Sequence, residues 1–273
     1  MKKSISSFVA SGLMIALFQH AGFAQHKEKN ITLHVNPTWK ECSIQLDPSL
    51  TQDAWHQFTQ EAGLVAYFRP LRDATSMGVG RYEFSILQWT TKLDDTQNAW
   101  NDTFVHPDST HWLTEGAGLG FPGLTFRTGI TEKLDAGVYW TKNFEANYGF
   151  WGGQVQYAFI QGEANDLAAS GRMSFVSLYG PDDLGLNVVG LELLASKRFD
   201  VYSDWVSISP YAGVSTYLSN SHETTTAVDL QDEHVVGIQG MAGAVAHISM
   251  ARVAAEYNVA RVHSFSLKVG IEF

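Results

Sequence analysis

Alternating apolar and polar residues dominate the chain from Gly80 onward, and this pattern constrains the fold more than any other feature of the sequence. Successive side chains of a β-strand point to opposite faces, so a period of two predicts a strand with one apolar face. About ten such runs, separated by turn residues, predict an all-β architecture. In the last run every second residue is apolar, namely Phe265, Leu267, Val269, Ile271 and Phe273.

The polar faces of these runs carry charges of both signs, whereas the apolar faces are almost free of charge. A Lys or Arg that faces lipid at the bilayer midplane costs roughly 2–4 kcal/mol, so charge-free apolar faces are expected on the outside of a membrane barrel. The alternative is a water-soluble barrel or sandwich with its apolar face inward. We favour the membrane interpretation, which predicts these lumen-facing charges: Arg81, Glu83, Arg127, Asp135, Arg172, Glu192, Arg252, Glu256, Lys268 and Glu272.

The connections between the runs differ sharply in length. Those at 131–133 and 247–249 are tight, whereas 93–121 and 219–233 are long and polar. Transmembrane barrels have short periplasmic turns and longer extracellular loops, and a C-terminus on the periplasmic side assigns both long stretches to the outside. The sequence therefore predicts a closed antiparallel transmembrane β-barrel of about ten strands over residues 80–273.

The N-terminal region has a different character. Residues 1–24 begin with two lysines, continue through a short apolar stretch and close on small residues, as a secretory signal peptide does. This predicts export, with a mature chain that begins near Gln25. The single cysteine, Cys42, cannot form an internal disulfide. Residues 64–71 are ambiguous, and if they form a wall strand the count becomes about twelve.

A short helix is predicted over 49–62, within an N-terminal segment that spans 25–79. Ser49 with Gln52 three residues later matches a capping box, and Gly63 is suited to the C-terminal end. The apolar stripe of this helix includes Trp55 and Phe58, so we expect it to dock, either plugging the lumen or lying across the periplasmic mouth. A free amphipathic helix is the alternative.

The run FSLKVGIEF, which ends at Phe273, resembles the C-terminal signature of Gram-negative outer-membrane β-barrels. FRTGITEKLDAGVYW resembles their strand–turn–strand units, and SISPYAGVSTYL resembles their ascending strands. The chain is also similar to uncharacterised proteobacterial barrels with an N-terminal helix. The resemblance covers roughly residues 80–273 and implies an outer-membrane location, contact with outer-membrane lipids and a Phe273 signal read by the barrel-assembly machinery. It carries over no functional residues.

Catalytic and metal sites are weakly indicated. His247 and Ser249 resemble the His-x-Ser of lipid A deacylases, but the predicted topology puts them at a periplasmic turn, so we expect no catalytic residue there. Two groups of His and acidic residues fall in the long loops, and the spacing of neither fits a defined metal site. We expect solvated loops, with no metal and no cofactor. The groups are His106, Asp108, His111 and Glu115, and His222, Glu223, Asp229, Asp232, Glu233 and His234.

Three functions follow as hypotheses. A net charge of −10 argues against nucleic-acid binding, which needs clustered Lys and Arg. We favour a narrow pore or carrier for a small molecule, hydrophobic ones included. A ten-strand barrel is narrow, and a helix could gate it. A structural or surface-interaction barrel without transport is the second hypothesis. A lipid-modifying barrel enzyme is the third and least favoured.

Overall fold

The computed structural model describes residues 43–94, 97–105, 123–142, 146–162, 166–202 and 205–273. Within these ranges two helices and thirteen strands are present. The helices are α1 (Gln52–Ala66) and α2 (Asn98–Asn101). The strands are β1 (Ser43–Ile44), β2 (Tyr82–Thr91), β3 (Phe104–Val105), β4 (Gly123–Gly129), β5 (Leu134–Lys142), β6 (Gly149–Ile160), β7 (Leu167–Tyr179), β8 (Leu184–Lys197), β9 (Phe199–Tyr202), β10 (Val206–Glu223), β11 (Glu233–Ile248), β12 (Ala251–Val259) and β13 (Ser264–Glu272).

Ten antiparallel strands form one closed barrel, in the order β2, β4–β8 and β10–β13, with β13 paired to β2. The seam runs from Ser264 opposite Thr91 to Glu272 opposite Glu83. Phe273 extends it, because its N–H and C=O exchange hydrogen bonds of 2.9 and 2.8 Å with the backbone of Tyr82. Closure gives each of the ten barrel strands a neighbour on both sides. The prediction of a closed ten-strand barrel is confirmed, and the twelve-strand alternative is wrong.

We call the end of the barrel where β2 begins and β13 finishes the near end, and the opposite end the far end. The turn 180–183 and the loop 224–232 lie at the far end, because β7 and β10 run toward it and β8 and β11 run back. β1 and β3 form a separate two-stranded sheet. The backbone N–H groups of Ile44 and Leu46 donate to side chains of the far-end connections, Asn147 at 2.9 Å and Asp183 at 3.0 Å.

Helix α1 lies at the far end and differs in its bounds from the predicted helix 49–62. It begins after Thr51, whose Oγ1 accepts from the N–H of Ala54 at 3.3 Å, so Thr51 and not Ser49 is the N-cap. It continues through Gly63, which packs against β10 instead of ending the helix. Gln52 donates to the carbonyl of Gln231 in the far-end loop at 3.1 Å. The helix therefore does not lie across the near-end mouth.

The chain between α1 and β2 runs down the inside of the barrel. We call residues 67–80 the strap; it forms neither helix nor strand, which answers the ambiguity of 64–71. Every residue from Glu61 to Ala74 is buried. Gly78 and Gly80 have positive φ angles of 82° and 74°, where glycine avoids the Cβ clash of other residues, and they turn the strap into β2. The strap therefore passes from the far end to the near end.

Pro210 lies within β10 without breaking the barrel. It is in register with Ala244 of β11 on one side. On the other side the pairing with β9 ends at Ile208, and the pairing with β8 begins at Tyr211. The missing N–H of proline thus falls at a break between two neighbouring strands, where the ladder is already interrupted. No described helix is both long enough and apolar enough to span a bilayer.

Candidate functional site: the strap inside the barrel

The barrel wall is apolar outside and charged inside. Along β13 the outward residues Phe265 and Ile271 are about half exposed, whereas Lys268 is only 4% exposed. The same alternation holds on the other strands, and nine of the ten charges expected in the lumen are buried: Glu83, Arg127, Asp135, Arg172, Glu192, Arg252, Glu256, Lys268 and Glu272. Arg81 differs from the expectation. It precedes β2 at the near-end mouth, and its side chain is 52% exposed. Its Nη2 lies 3.0 Å from Oε1 of Glu272.

Arg172 and Glu192 form the central ion pair of the wall. They face each other across β7 and β8, and Arg172 donates from Nε and Nη2 to the two carboxylate oxygens at 2.9 and 2.8 Å. Such a two-bond fork fixes both planar groups. The strap joins it, because the hydroxyl of Tyr67 donates to Glu192 at 3.1 Å and Arg172 donates to the carbonyl of Phe68.

Arg72 of the strap lies between the first and last strands of the barrel. Its Nη1 is 2.6 Å from Oε2 of Glu83 on β2 and 3.3 Å from Oε2 of Glu272 on β13. Lys268 also reaches Glu83 at 2.6 Å, and Arg252 reaches Glu272 at 3.1 Å. The two carboxylates are thus shared between the strap and the wall. Removal of Arg72 would leave them with fewer cations in a buried place, which is costly.

Further down, the strap hydrogen-bonds to polar groups near the mouth. Asp135 pairs with Arg127 at 2.8 Å and also accepts from the hydroxyl of Ser76 at 2.7 Å and the N–H of Met77 at 3.1 Å. The N–H of Ala74 donates to Oγ of Ser196 at 3.0 Å. The lower strap is therefore held by polar contacts.

Charge balance links the strap to the wall. The nine buried wall charges comprise four cations and five anions, so the wall has one negative charge in excess. The buried strap side chains Arg69, Arg72 and Asp73 have one positive charge in excess. The lumen charges named here therefore balance only when the strap is in place.

The far end of the lumen is filled by aromatic residues. Trp55 and Phe58 of α1 stack with ring centroids 5.4 Å apart. Phe58 also meets Trp100 of α2 edge-on at 5.1 Å. We call Trp55, Phe58, Trp100, Phe104, Tyr148 and Phe150 the aromatic cap; all six are buried. A cavity of ≈ 20 Å³ lies in this region, lined in part by Phe58, Trp100 and Tyr148. The cap is thus a packed apolar layer.

Exposed apolar side chains surround the strands, and ionised groups pair inside a closed ring. An aromatic band lies near each mouth: Tyr82 contacts Phe126 and Phe273 at 6.0 Å near one end, and Trp151 meets Phe175 at 5.5 Å toward the other. Bands of this kind flank the apolar belt of membrane-spanning barrels. The chain is a transmembrane β-barrel of the outer-membrane type. Its fold fits a location in the outer membrane.

Solved structures of similar architecture are bacterial outer-membrane barrels. Ail of Yersinia pestis is 13% identical, with a TM-score of 0.29 over 71% of this chain and 99% of that one. The N-terminal barrel domain of OprF from Pseudomonas aeruginosa is 11% identical, with a TM-score of 0.31 over 72% and 100%. The β domain of the Bordetella autotransporter BrkA is 12% identical, with a TM-score of 0.38 over 71% and 100%. No family model and no curated protein matches the chain. Nothing about function follows from these likenesses.

His247 of this transmembrane barrel does not have the geometry of a catalytic base. Its Nε2 lies 3.0 Å from Oδ2 of Asp73 and 3.4 Å from Oγ of Ser209, so one nitrogen meets both partners. A serine–histidine–acid triad needs the nucleophile and the acid on opposite ring nitrogens. Ser249 lies in the turn beyond β11, with a φ of 54°. The arrangement is that of a histidine that binds the strap.

The candidate metal ligands divide between described and undescribed residues. His106, Asp108, His111 and Glu115, like residues 1–24 and Cys42, lie outside the described residues. In the other group, Glu233 binds His56 of α1 at 2.7 Å and His234 meets Asn220 at 2.7 Å. Within the residues that the structure describes, no group of three His, Cys, Asp or Glu side chains is placed to hold a metal ion.

The strap residues are the part of the site that sequence reasoning missed. Tyr67, Arg69, Arg72 and Asp73 are all at most 4% exposed and all bind the wall. The available signal was two arginines and an acid within the otherwise apolar segment 64–74, outside any strand period. Buried charges of this kind need partners, and the wall has them.

Proposed function

We propose that this barrel is a gated passage for a small molecule, closed by its own strap and opened when the strap moves. The supporting observation is that a buried strap occupies the lumen and is bound to the wall by ion pairs and hydrogen bonds. A wall lined by charges and hydroxyls would take up water once the strap moves aside, as porin interiors do. An apolar lumen would not take up water in this way.

Two features of the strap support movement. Leu71 is buried with a φ of 45°, a conformation that is strained for a bulky residue and often marks functional segments. Gly78 and Gly80 form a natural hinge where the strap joins β2. Because a ten-strand barrel is narrow, the proposed solute is small. The aromatic cap at the far end favours a solute with an apolar part.

The test is single-channel conductance of the full chain in planar bilayers. Arg72→Gln weakens the strap. Ala74→Cys with Ser196→Cys, in a Cys42→Ser background, is designed to crosslink the strap to the wall at a point of contact, where N of Ala74 lies 3.0 Å from Oγ of Ser196. We expect Arg72→Gln to raise the open fraction at least tenfold over wild type. We expect the oxidised cysteine pair, combined with Arg72→Gln in the Cys42→Ser background, to keep the barrel closed until a reductant is added. Arg198→Gln, which alters an exposed pair, is the control.

The opposite outcome is equally defined. If Arg72→Gln and a deletion of 26–62 both retain heat-modifiable gel mobility but neither conducts, the passage is excluded. The sealed, surface-interacting barrel would then be favoured. That second candidate has support from β10 and β11, whose 18 and 16 residues exceed the roughly 9–11 needed to span a bilayer. Their hairpin therefore projects from the far end, which we propose to be extracellular.

An assembly role for Phe273 is part of the proposal. Its backbone completes the seam with Tyr82, and its side chain is 59% exposed beside the Tyr82 ring. An exposed aromatic residue on the last strand suits recognition by the barrel-assembly machinery before closure. Phe273→Ala should lower the amount of folded protein in the membrane, while Phe265→Ala, on the same face, should not.

A further inference from the structure

The outward wall of the barrel contains an open trough that the proposed passage does not use. Its volume is ≈ 980 Å³, at the upper end of the range typical of ligand sites. It runs diagonally from Leu134 on β5 to Arg261 beyond β12, across the strands between them. Its exposed lining is mainly apolar and includes Tyr157, Met173, Leu193, Val214 and Ile238. The trough therefore belongs to the bilayer-facing surface.

Two glycines form part of the trough wall. The ring of Phe159 lies over Gly171, where a Cβ would be 2.8 Å from it. At Gly240, in contrast, a Cβ would meet no atom within 4 Å, so that position opens directly into the trough. A side chain at 240 would fill the trough without displacing protein atoms.

One exposed charge lies at an end of the trough. Among the described residues that line it, Arg172 and Glu192 are buried and paired on the lumen side, whereas the side chain of Arg261 is 51% exposed. Arg261 uses Nε to bind Glu61 at 3.1 Å, and its guanidinium has further donors to offer. The lining is thus apolar along its length and cationic at the far-end rim. That pattern is complementary to an amphipathic anion.

We propose that the trough binds an anionic lipid of the bilayer, with an acyl chain along the Gly240 wall and its phosphate at Arg261. Charge complementarity at the rim favours this occupant over a second copy of the barrel, whose outward wall is apolar. Arginine suits phosphate because its planar fork donates two parallel hydrogen bonds. The acyl chain gains contact with apolar side chains that a flat wall would not provide.

The test is native mass spectrometry of the full chain in detergent with equal amounts of palmitoyl-oleoyl phosphatidylglycerol and palmitoyl-oleoyl phosphatidylcholine. We expect wild type to retain one phosphatidylglycerol at least fivefold more often than phosphatidylcholine. Gly240→Leu should lower retention of both lipids at least tenfold. Gly153→Leu is the matched control, because Gly153 is another wall glycine, outside the trough, with 3.6 Å to the nearest atom from its Cβ position.

Arg261→Gln separates the headgroup from the chain. It should abolish the preference for phosphatidylglycerol while leaving retention of phosphatidylcholine unchanged, and Glu61→Gln, which keeps the cation, should preserve the preference. Equal retention by the two glycine variants, or equal retention of the two lipids by wild type, would overturn the proposal. A dimer that Gly240→Leu abolishes would show a second copy in the trough and overturn it too. Heat-modifiable mobility verifies folding, and conductance plays no part in this readout.

Discussion

Arg69 donates a hydrogen bond of 2.9 Å from Nη2 to the carbonyl oxygen of Leu64, five residues earlier in the chain. Arg69, which follows Tyr67 and Phe68 in the strap, therefore binds one of the unpaired carbonyl groups at the C-terminal end of α1. A positive charge is also favourable there. The same guanidinium donates to Ser264 at 2.8 Å and lies over the ring of Trp89 at 5.3 Å. Helix end, strap and wall are thus joined through one buried cation.

Arg69→Met should lower the free energy of unfolding by about 3 kcal/mol, because it removes several charge-assisted hydrogen bonds and leaves buried acceptors without a donor. The measurement is urea unfolding in detergent, followed by gel mobility. Arg198→Met is the control: its pair with Asp200 is 3.1 Å long and well exposed, and such pairs contribute less than about 1 kcal/mol. Equal losses in the two variants would contradict the role assigned to Arg69.

Gly63→Val should destabilise the docked helix by about 2 kcal/mol. A Cβ at position 63 would lie 2.7 Å from Cβ of Ser219 on β10, so the helix must shift or the strand must yield. Adding Ser219→Gly should restore part of the loss, since the two positions are in contact and their effects are coupled. Gly153→Val is the control for added bulk elsewhere, because a Cβ at position 153 would lie 3.6 Å from the nearest atom. No recovery in the double variant would argue against this contact.

Leu191→Arg should lower stability by roughly 2–4 kcal/mol, because Leu191 faces outward in the middle of β8 and a cation there would enter the hydrocarbon. Val201→Arg, on β9 near the mouth, should change it by only about 0–1 kcal/mol. Refolding equilibria in lipid vesicles measure both. In detergent without a bilayer the difference should shrink. A similar cost at the two positions would contradict the assigned depth of β8 in the membrane.

The wall of this barrel could be predicted from the sequence because the alternation within each strand depends only on residues that are close together in the chain. Alternation alone places Arg172 and Glu192 on one face of their strands, and antiparallel pairing of β7 with β8 then brings them together. The same alternation places Phe265 and Ile271 on the outward face, and both are about half exposed. Arg81 is half exposed because the alternating period does not extend beyond β2, which begins only at Tyr82.

The strap could not be predicted in this way. Arg69 binds Ser264, which is 195 residues away in the sequence, and Arg72 binds Glu272, which is 200 residues away. Without a regular period, no local pattern places these side chains inside the ring. The helix bounds failed for a related reason: Ser49 and Thr51 are both suitable caps, and Gly63 ends a helix in isolation but permits close packing beside Ser219.

The strap continues directly into β2, and β2 pairs with the final strand, β13. A helix with a bulky aromatic layer lies at one end of the strap, and the wall encircles the rest. If the ring of ten strands closed first, the helix with its aromatic layer would have to pass through it as a whole, a far larger displacement than a movement of the strap within the lumen. We therefore expect the contents to be in position first, and the seam between Tyr82 and Phe273 to join last, around them.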